Sequence, residues 1–184
     1  MPIPVSTIQF LQNYFDKIFV VTVPRFTERH KKISANLEGL HFEFFWGADK
    51  LQLNLDTAKL DGTYDETITK QLQRQGKPLN LGELACALSH KMVYAEMVKH
   101  NWQKVLILED DVLPLYNNLH LLKNAISELP DNWELVYFGY LKHEKVTSGL
   151  KAKQLFYKIK SKLGLMKWTY KMVGNLLPKH YSQH

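Results

Sequence analysis

Cysteine is almost absent from this chain of 184 residues. The single Cys86 closes no intrachain disulfide and shares no zinc site with a second cysteine, so nothing points to an oxidising compartment. Long apolar runs are missing as well. Stretches such as 105–108 fall far short of the roughly 18 residues that a bilayer-crossing helix needs. Residues 1–16 lack a basic start followed by an apolar block, because Pro2, Pro4, Gln9, Gln12 and Asn13 interrupt the hydrophobes. This argues against a secretory signal and predicts the cytosol. No internal repeat and no low-complexity linker is present. Acidic residues are absent from 145 onward, where nine lysines carry +9 of a net charge of +6 and leave −3 for residues 1–144. The basicity belongs to a tail and gives no ground for a nucleic-acid partner.

What is there suits one compact domain, with 45% hydrophobic and 12% aromatic residues. Residues 17–23 (KIFVVTV) form a β-branched apolar run closed by Pro24, which predicts a buried strand. Thr27 then caps a predicted helix over 28–38 that packs through Ile33 and Leu37 and stops at Gly39. Residues 41–46 (HFEFFW) read as a second strand, parallel to the first across the crossover helix. Residues 49–77 carry little pattern and predict an irregular surface excursion with a short helix at 66–74. Leu81, Leu84, Ala85, Leu88, Met92 and Ala95 recur at helical steps and predict a helix over 81–99, started by Asn80 or Pro78. A strand at 104–108, a helix at 119–129 stopped by Pro130 and a strand at 134–138 continue the alternation. The class is α/β with a mostly parallel central sheet flanked by helices. A basic helical stretch is expected over 152–177, and the predicted division is a domain at 1–144 with a tail at 145–184.

Chemistry concentrates at Glu109, Asp110 and Asp111, directly after an apolar strand. The carboxyl ends of strands are where open α/β sheets bind ligands. In extended chain, residues two apart share a face, which predicts Glu109 and Asp111 pointing together at one ligand and Asp110 pointing away. Adjacent carboxylates repel, and an oxygen-preferring divalent cation relieves the repulsion while bridging the phosphates of a nucleotide. The competing reading is a solvated strand end entering the turn near Pro114. A phosphatase with a carboxylate nucleophile fits worse, since Glu109 stands where that chemistry wants Asp and Val112-Leu113 follow instead of Ser or Thr.

Other residues have two readings each. Arg25 and Arg29 are either solubilising charges or grips for a diphosphate, helped by the free amides of the helix start, with Pro24 fixing the exit of the strand. Glu83 and His90 lie seven apart, hence on one helix face with Cys86, Ala87, Tyr94 and Met97. His90 is a packed structural group or a donor contact. Cys86 reads as a small buried hydrophobe. Phe42, Phe44, Phe45 and Trp46 are core residues or a stacking surface for uracil or sugar.

The segments VTVPRFTERHKKI (21–33), FEFFWGAD (42–49), LNLGELACALSHKMVYAEMV (79–98), VLILEDDVLP (105–114) and ELVYFG (134–139) together resemble glycosyltransferase family 25. That group includes bacterial lipooligosaccharide galactosyltransferases and the collagen galactosyltransferases of animals. The resemblance spans about 17–139 and rests most on GELACALSH with LILEDD downstream. It implies a GT-A fold and a nucleotide-sugar-dependent transferase whose acidic D-x-D-like motif holds Mn2+ or Mg2+ against the donor diphosphate. It further implies UDP-galactose as donor and a sugar of a lipopolysaccharide, glycolipid or related surface glycan as acceptor.

Carried onto this chain, the resemblance makes Glu109 and Asp111 the metal ligands, with Asp111 the direct one, and leaves Asp110 within that motif or reaching the ribose. It puts Pro24, Arg25, Arg29, Glu83, His90 and Asp110 at the donor. No general base is nominated, because Asp131, Glu134 and Glu144 have no distinguishing spacing. Family members continue past this length, so the chain is expected to be an N-terminal fragment, a truncation or a degenerate member. The alternative function is accordingly a catalytically incomplete nucleotide-sugar-binding or interaction module. The lysine-rich tail reads either as a helix resting peripherally on the anionic inner membrane or as one packed on the body, on a second chain or on the C-terminal part that family members carry.

Overall fold

The structure, a computed structural model, describes residues 3–72, 76–138 and 146–174. The chain divides into two compact units, Met1–His120 and Leu121–His184. The predicted boundary at 144/145 lies outside the described residues.

In the first unit, α1 (Val5–Tyr14) leads into β1 (Lys17–Thr22), α2 (Thr27–Asn36) and β2 (Glu43–Trp46). The short helices α3 (Leu55–Leu60) and α4 (Glu66–Leu72) precede the long α5 (Leu81–His100) and β3 (Val105–Glu109). The three strands form a parallel sheet in the order β2-β1-β3, with Val20 opposite Phe44 on one side and Leu108 on the other. The α/β class read from the alternation is therefore present. β1 takes the centre because its apolar residues suit burial on both faces: Ile18, Phe19 and Val20 are all buried. Each such side chain contributes about 1.5–3 kcal/mol.

α5 forms where its sequence predicts, and its start has a local cause. Asn80 Oδ1 accepts the Glu83 N–H at 3.0 Å while Glu83 Oε2 accepts the Asn80 N–H at 2.8 Å, a reciprocal capping box. Leu84, Ala85, Ser89 and Val93 form the buried face, and Asn101 ends the helix in the left-handed region at φ 54°. Met92, expected on the apolar face, is exposed.

Three expectations need correction in this unit. α1 forms where none was predicted, and Ile3, Thr7, Leu11 and Phe15, four apart, are all buried. The excursion over 49–77 is not irregular surface alone. Besides α4, it holds α3, capped by Asn54, and its Ala58 and Tyr64 form a small core with Leu84 of α5, with leucines around it. The Tyr64 hydroxyl accepts the Leu79 N–H at 2.9 Å and ties the excursion to the α5 entrance. The expected end of α4 at Arg74 lies outside the described residues. Thr27 is the first residue of α2 rather than its cap: Phe26 holds that place with no side-chain cap bond.

A 3-10 turn (Tyr116–Leu121) leads into α6 (Leu122–Ser127), which is shorter than the predicted helix at 119–129. The predicted strand at 134–138 is not formed. A strand needs a ladder partner for its backbone groups, none pairs there among the described residues, and Leu135 and Tyr137 are exposed. In the second unit α7 (Ser148–Lys162) starts at Thr147, whose hydroxyl accepts the Leu150 N–H, and breaks before Gly164 at φ +67°. The Gln154 amide donates to the carbonyls of Val173 (3.1 Å) and Gly174 (2.9 Å), joining α7 to α8 (Tyr170–Gly174). The end of the predicted stretch at Leu177 lies outside the described residues. Among those residues no helix is long and apolar enough to cross a membrane.

Candidate functional site

At the carboxyl ends of β1 and β3 the chain leaves the sheet, and an open pocket forms there. Thr22, Phe26, Arg29, Cys86, His90 and all three residues of the acidic triplet are among its lining. One wall is fixed by Asp110, which is buried. Its Oδ2 accepts the Thr22 hydroxyl at 2.6 Å and its Oδ1 accepts Arg29 Nη1 at 2.7 Å. Since the single Thr22 proton goes to Asp110, the 3.0 Å contact from His30 Nε2 to Thr22 Oγ1 is a donation by His30. The hydrogen bond to Asp110 holds the Arg29 guanidinium above its ordinary pKa, and the Asp110 charge adds to this. Strand end, triplet and α2 are thus joined by one satisfied polar chain.

Glu109 is the last residue of β3, and the chain then turns, with the Val112 N–H bonded to the Glu109 carbonyl at 3.2 Å. The expected strand alternation between Glu109 and Asp111 therefore stops at Glu109. Both still line the pocket, and both are exposed. Asp111 keeps only a loose pairing with Arg29, at 3.7 Å. Two exposed carboxylates on one open pocket fit an oxygen-preferring divalent cation; Asp110, committed to Thr22 and Arg29, has little left to offer one.

Opposite stands α5. Ser89 donates to the Ala85 carbonyl at 2.7 Å and accepts the Ala48 N–H at 2.9 Å, holding the segment after β2 against the helix. That approach needs glycine at 47: a Cβ there would meet Ser89 Oγ at 2.3 Å and Ser89 Cβ at 2.7 Å. Cys86 is exposed, not the buried hydrophobe expected, because its helix position lies beside the buried row Ala85, Ser89 and Val93 rather than in it and borders the open pocket. Partial loss of water around its thiol pushes its pKa up and the Glu109 charge pushes it further. Ligand atoms of Cys86, His90 and Glu109 lie within 4.8 Å of one another.

The remaining sequence candidates sit elsewhere. Arg25 forms a two-pronged pair with Asp49, Nε to Oδ2 at 2.6 Å and Nη2 to Oδ1 at 3.1 Å, and lies over the Phe26 ring. The bond from Arg25 comes first in holding Asp49 below the usual carboxylate range, and the Leu51 N–H adds to it. Arg25 and Pro24 are outside the pocket lining, and Glu83 serves the capping box. Of the aromatic run, Phe45 packs edge-on to Phe19 and Phe44 stacks near Trp46, with His30 against both. Sequence reasoning missed Thr22, His30, Gly47 and Asp49. A threonine closing an apolar strand and a glycine directly after one were the available signals.

A parallel α/β sheet with an acidic, arginine-flanked pocket at its strand ends is thus the class of protein that fold and site define. The chain belongs to glycosyltransferase family 25: the model of that family, described as glycosyltransferase family 25 (LPS biosynthesis protein), matches residues 15–173. The match runs beyond the 17–139 spanned by the sequence motifs and takes in α7. A glycosyltransferase 25 family member of Aedes aegypti is 31% identical over 137 residues, covering 66% of this chain and 21% of that protein. Human procollagen galactosyltransferase 2 is 29% identical over 135 residues, covering 68% and 21%. The human protein named inactive glycosyltransferase 25 family member 3 is 28% identical over 130 residues, covering 68% and 22%. The chain thus matches about a fifth of the length of these curated relatives. No solved structure matches it.

Proposed function

We infer that this chain is the donor-binding part of a GT-A-like hexosyltransferase that takes a UDP-sugar, most simply UDP-galactose, with Mn2+ or Mg2+. The acceptor in this reading is a sugar of a lipopolysaccharide or related surface glycan. The observation that carries it is the pairing, on one pocket, of exposed Glu109 and Asp111 with an Arg29 whose position is fixed by buried Asp110. In this reading Glu109 and Asp111 hold the divalent ion, which when bound supplies charge neutralisation to the departing diphosphate. Arg29 keeps guanidinium donors for a phosphate oxygen beyond the one given to Asp110. His90, on the α5 wall, orients the donor. Asp110 acts through Arg29 and Thr22.

The name of the inactive human relative favours a second reading, a binding module without turnover. One preparation separates the two. UDP binding that requires Mn2+, together with Mn2+-dependent hydrolysis of UDP-galactose and transfer to a truncated lipopolysaccharide, is the outcome for the enzyme. UDP binding with neither reaction is the outcome for the module. UDP binding no stronger with Mn2+ than without overturns both.

Exposed Leu155, Phe156 and Ile159 on α7, among its lysines, with exposed Leu163 directly after the helix, support a peripheral contact with an anionic membrane and a place at the cytoplasmic face. Co-sedimentation with phosphatidylglycerol vesicles and not with phosphatidylcholine vesicles tests it.

A further inference from the structure

The proposed function uses Glu109 as an oxygen ligand beside Asp111, yet the structure gives Glu109 other company. Cys86 and His90 stand four residues apart on α5, so one helical turn stacks them on the same face. Glu109 meets them from the end of β3. A sulfur, an imidazole nitrogen and a carboxylate oxygen lie within 4.8 Å of one another, the one such group of three among the described residues. Cys86 and Glu109 are exposed and His90 is half-buried, so an ion from solvent reaches all three. The neighbouring polar side chains do not compete for these ligands: Ser89 is bonded to Ala85 and Ala48, and Asp110 to Thr22 and Arg29.

The donor types decide which cation suits the group. Mn2+ and Mg2+ favour all-oxygen sets, whereas a thiolate, an imidazole and a carboxylate together suit Zn2+. Tetrahedral zinc at its usual bond lengths spaces ligand atoms about 3.3–3.8 Å apart. The group therefore closes on an ion with movements of about 1 Å, within reach of side-chain rotation at an open pocket. We propose that Cys86, His90 and Glu109 form a three-ligand Zn2+ site whose fourth position opens into the pocket. Zinc binding stands independently of the proposed function. A second consequence rests on that function: zinc and the manganese–nucleotide pair compete for Glu109.

The test uses the full chain without nucleotide. Zn2+ is titrated against a chromogenic chelator, and Co2+ serves as a spectroscopic probe. The expected result is one equivalent of zinc and a near-ultraviolet sulfur-to-cobalt band that disappears in Cys86→Ser. Cys86→Ser and His90→Ala each weaken zinc by about tenfold or more, since even the outer partners of metal ligands are worth 10–100-fold. Circular dichroism verifies the fold of each variant, and the cobalt spectrum of the unaltered chain reports on sulfur ligation without any variant. Absence of stoichiometric zinc, a cobalt spectrum without the sulfur band, or equal zinc affinity in Cys86→Ser overturns the site. Zinc binding in a chain that never binds UDP supports the site and counts only against the nucleotide reading.

Discussion

The two walls of the pocket differ in how far their polar groups are already spent. On the Asp110 wall both carboxylate oxygens are bonded, to Thr22 and Arg29, and the Thr22 hydroxyl also accepts from His30. On the Cys86 wall a thiol, an imidazole and a carboxylate come within 4.8 Å of one another and two of the three are exposed. Within the triplet, the first wall owns the middle residue and the pocket keeps the outer two. The contrast separates framework from ligand-directed groups: satisfied buried groups hold the shape, and exposed ones remain available to a ligand.

The sharpest way to break this comparison is at the joint that sets the walls apart. Gly47→Ala forces a Cβ to within 2.3 Å of Ser89 Oγ, and we expect a loss of about 1–3 kcal/mol, seen as a lowered Tm in calorimetry. An unchanged Tm would show that the segment after β2 yields freely. Asp110→Ala strips Thr22 and Arg29 of their partner and should cost about 2 kcal/mol in denaturant unfolding, while Glu109→Ala stays within about 0.5 kcal/mol. Equal costs for the two would erase the distinction between the walls.

Arg29 and Arg25 sharpen it further. Arg29 lines the pocket and Arg25 is turned to Asp49, so Arg29→Ala should weaken Mn2+-dependent UDP binding about tenfold and Arg25→Ala less than about twofold. The reverse order, read by calorimetric titration, would move the phosphate grip to Arg25. The smallest effect concerns acid. Asp49 is held below its ordinary value of 3.8 by Arg25, so its contribution is present above that value and fades as pH falls beneath it. The acid limb of the unfolding curve should therefore shift to lower pH in the unaltered chain than in Asp49→Asn, and coincident limbs would deny the Arg25–Asp49 pair any part in it.

How much of this could be read from residues alone depended on how local each cause is. β1 and α5 were legible because apolar spacing acts within a few positions, whereas Glu83, read as a donor contact, proved to be half of the capping box with Asn80. The strand at 134–138 was misread because an apolar ELVYF says nothing about whether a ladder partner is at hand. The triplet was legible as a charged strand end. Which of its members face a ligand was not, since the turn after Glu109 breaks the two-residue alternation and an arginine 81 positions away claims Asp110. Cys86 was misjudged for a related reason: periodicity marks a helix face, and only the fold tells which face borders the pocket.

The account stands or falls on the outer two carboxylates. Calorimetric titration of UDP with Mn2+ into the Glu109→Gln, Asp111→Asn double variant, beside the unaltered chain, is the most direct measurement. We predict nucleotide affinity reduced by about a hundredfold, roughly 2.7 kcal/mol, with the fold intact. Undiminished affinity in the double variant would contradict the claim that these side chains bring the ion and the diphosphate together.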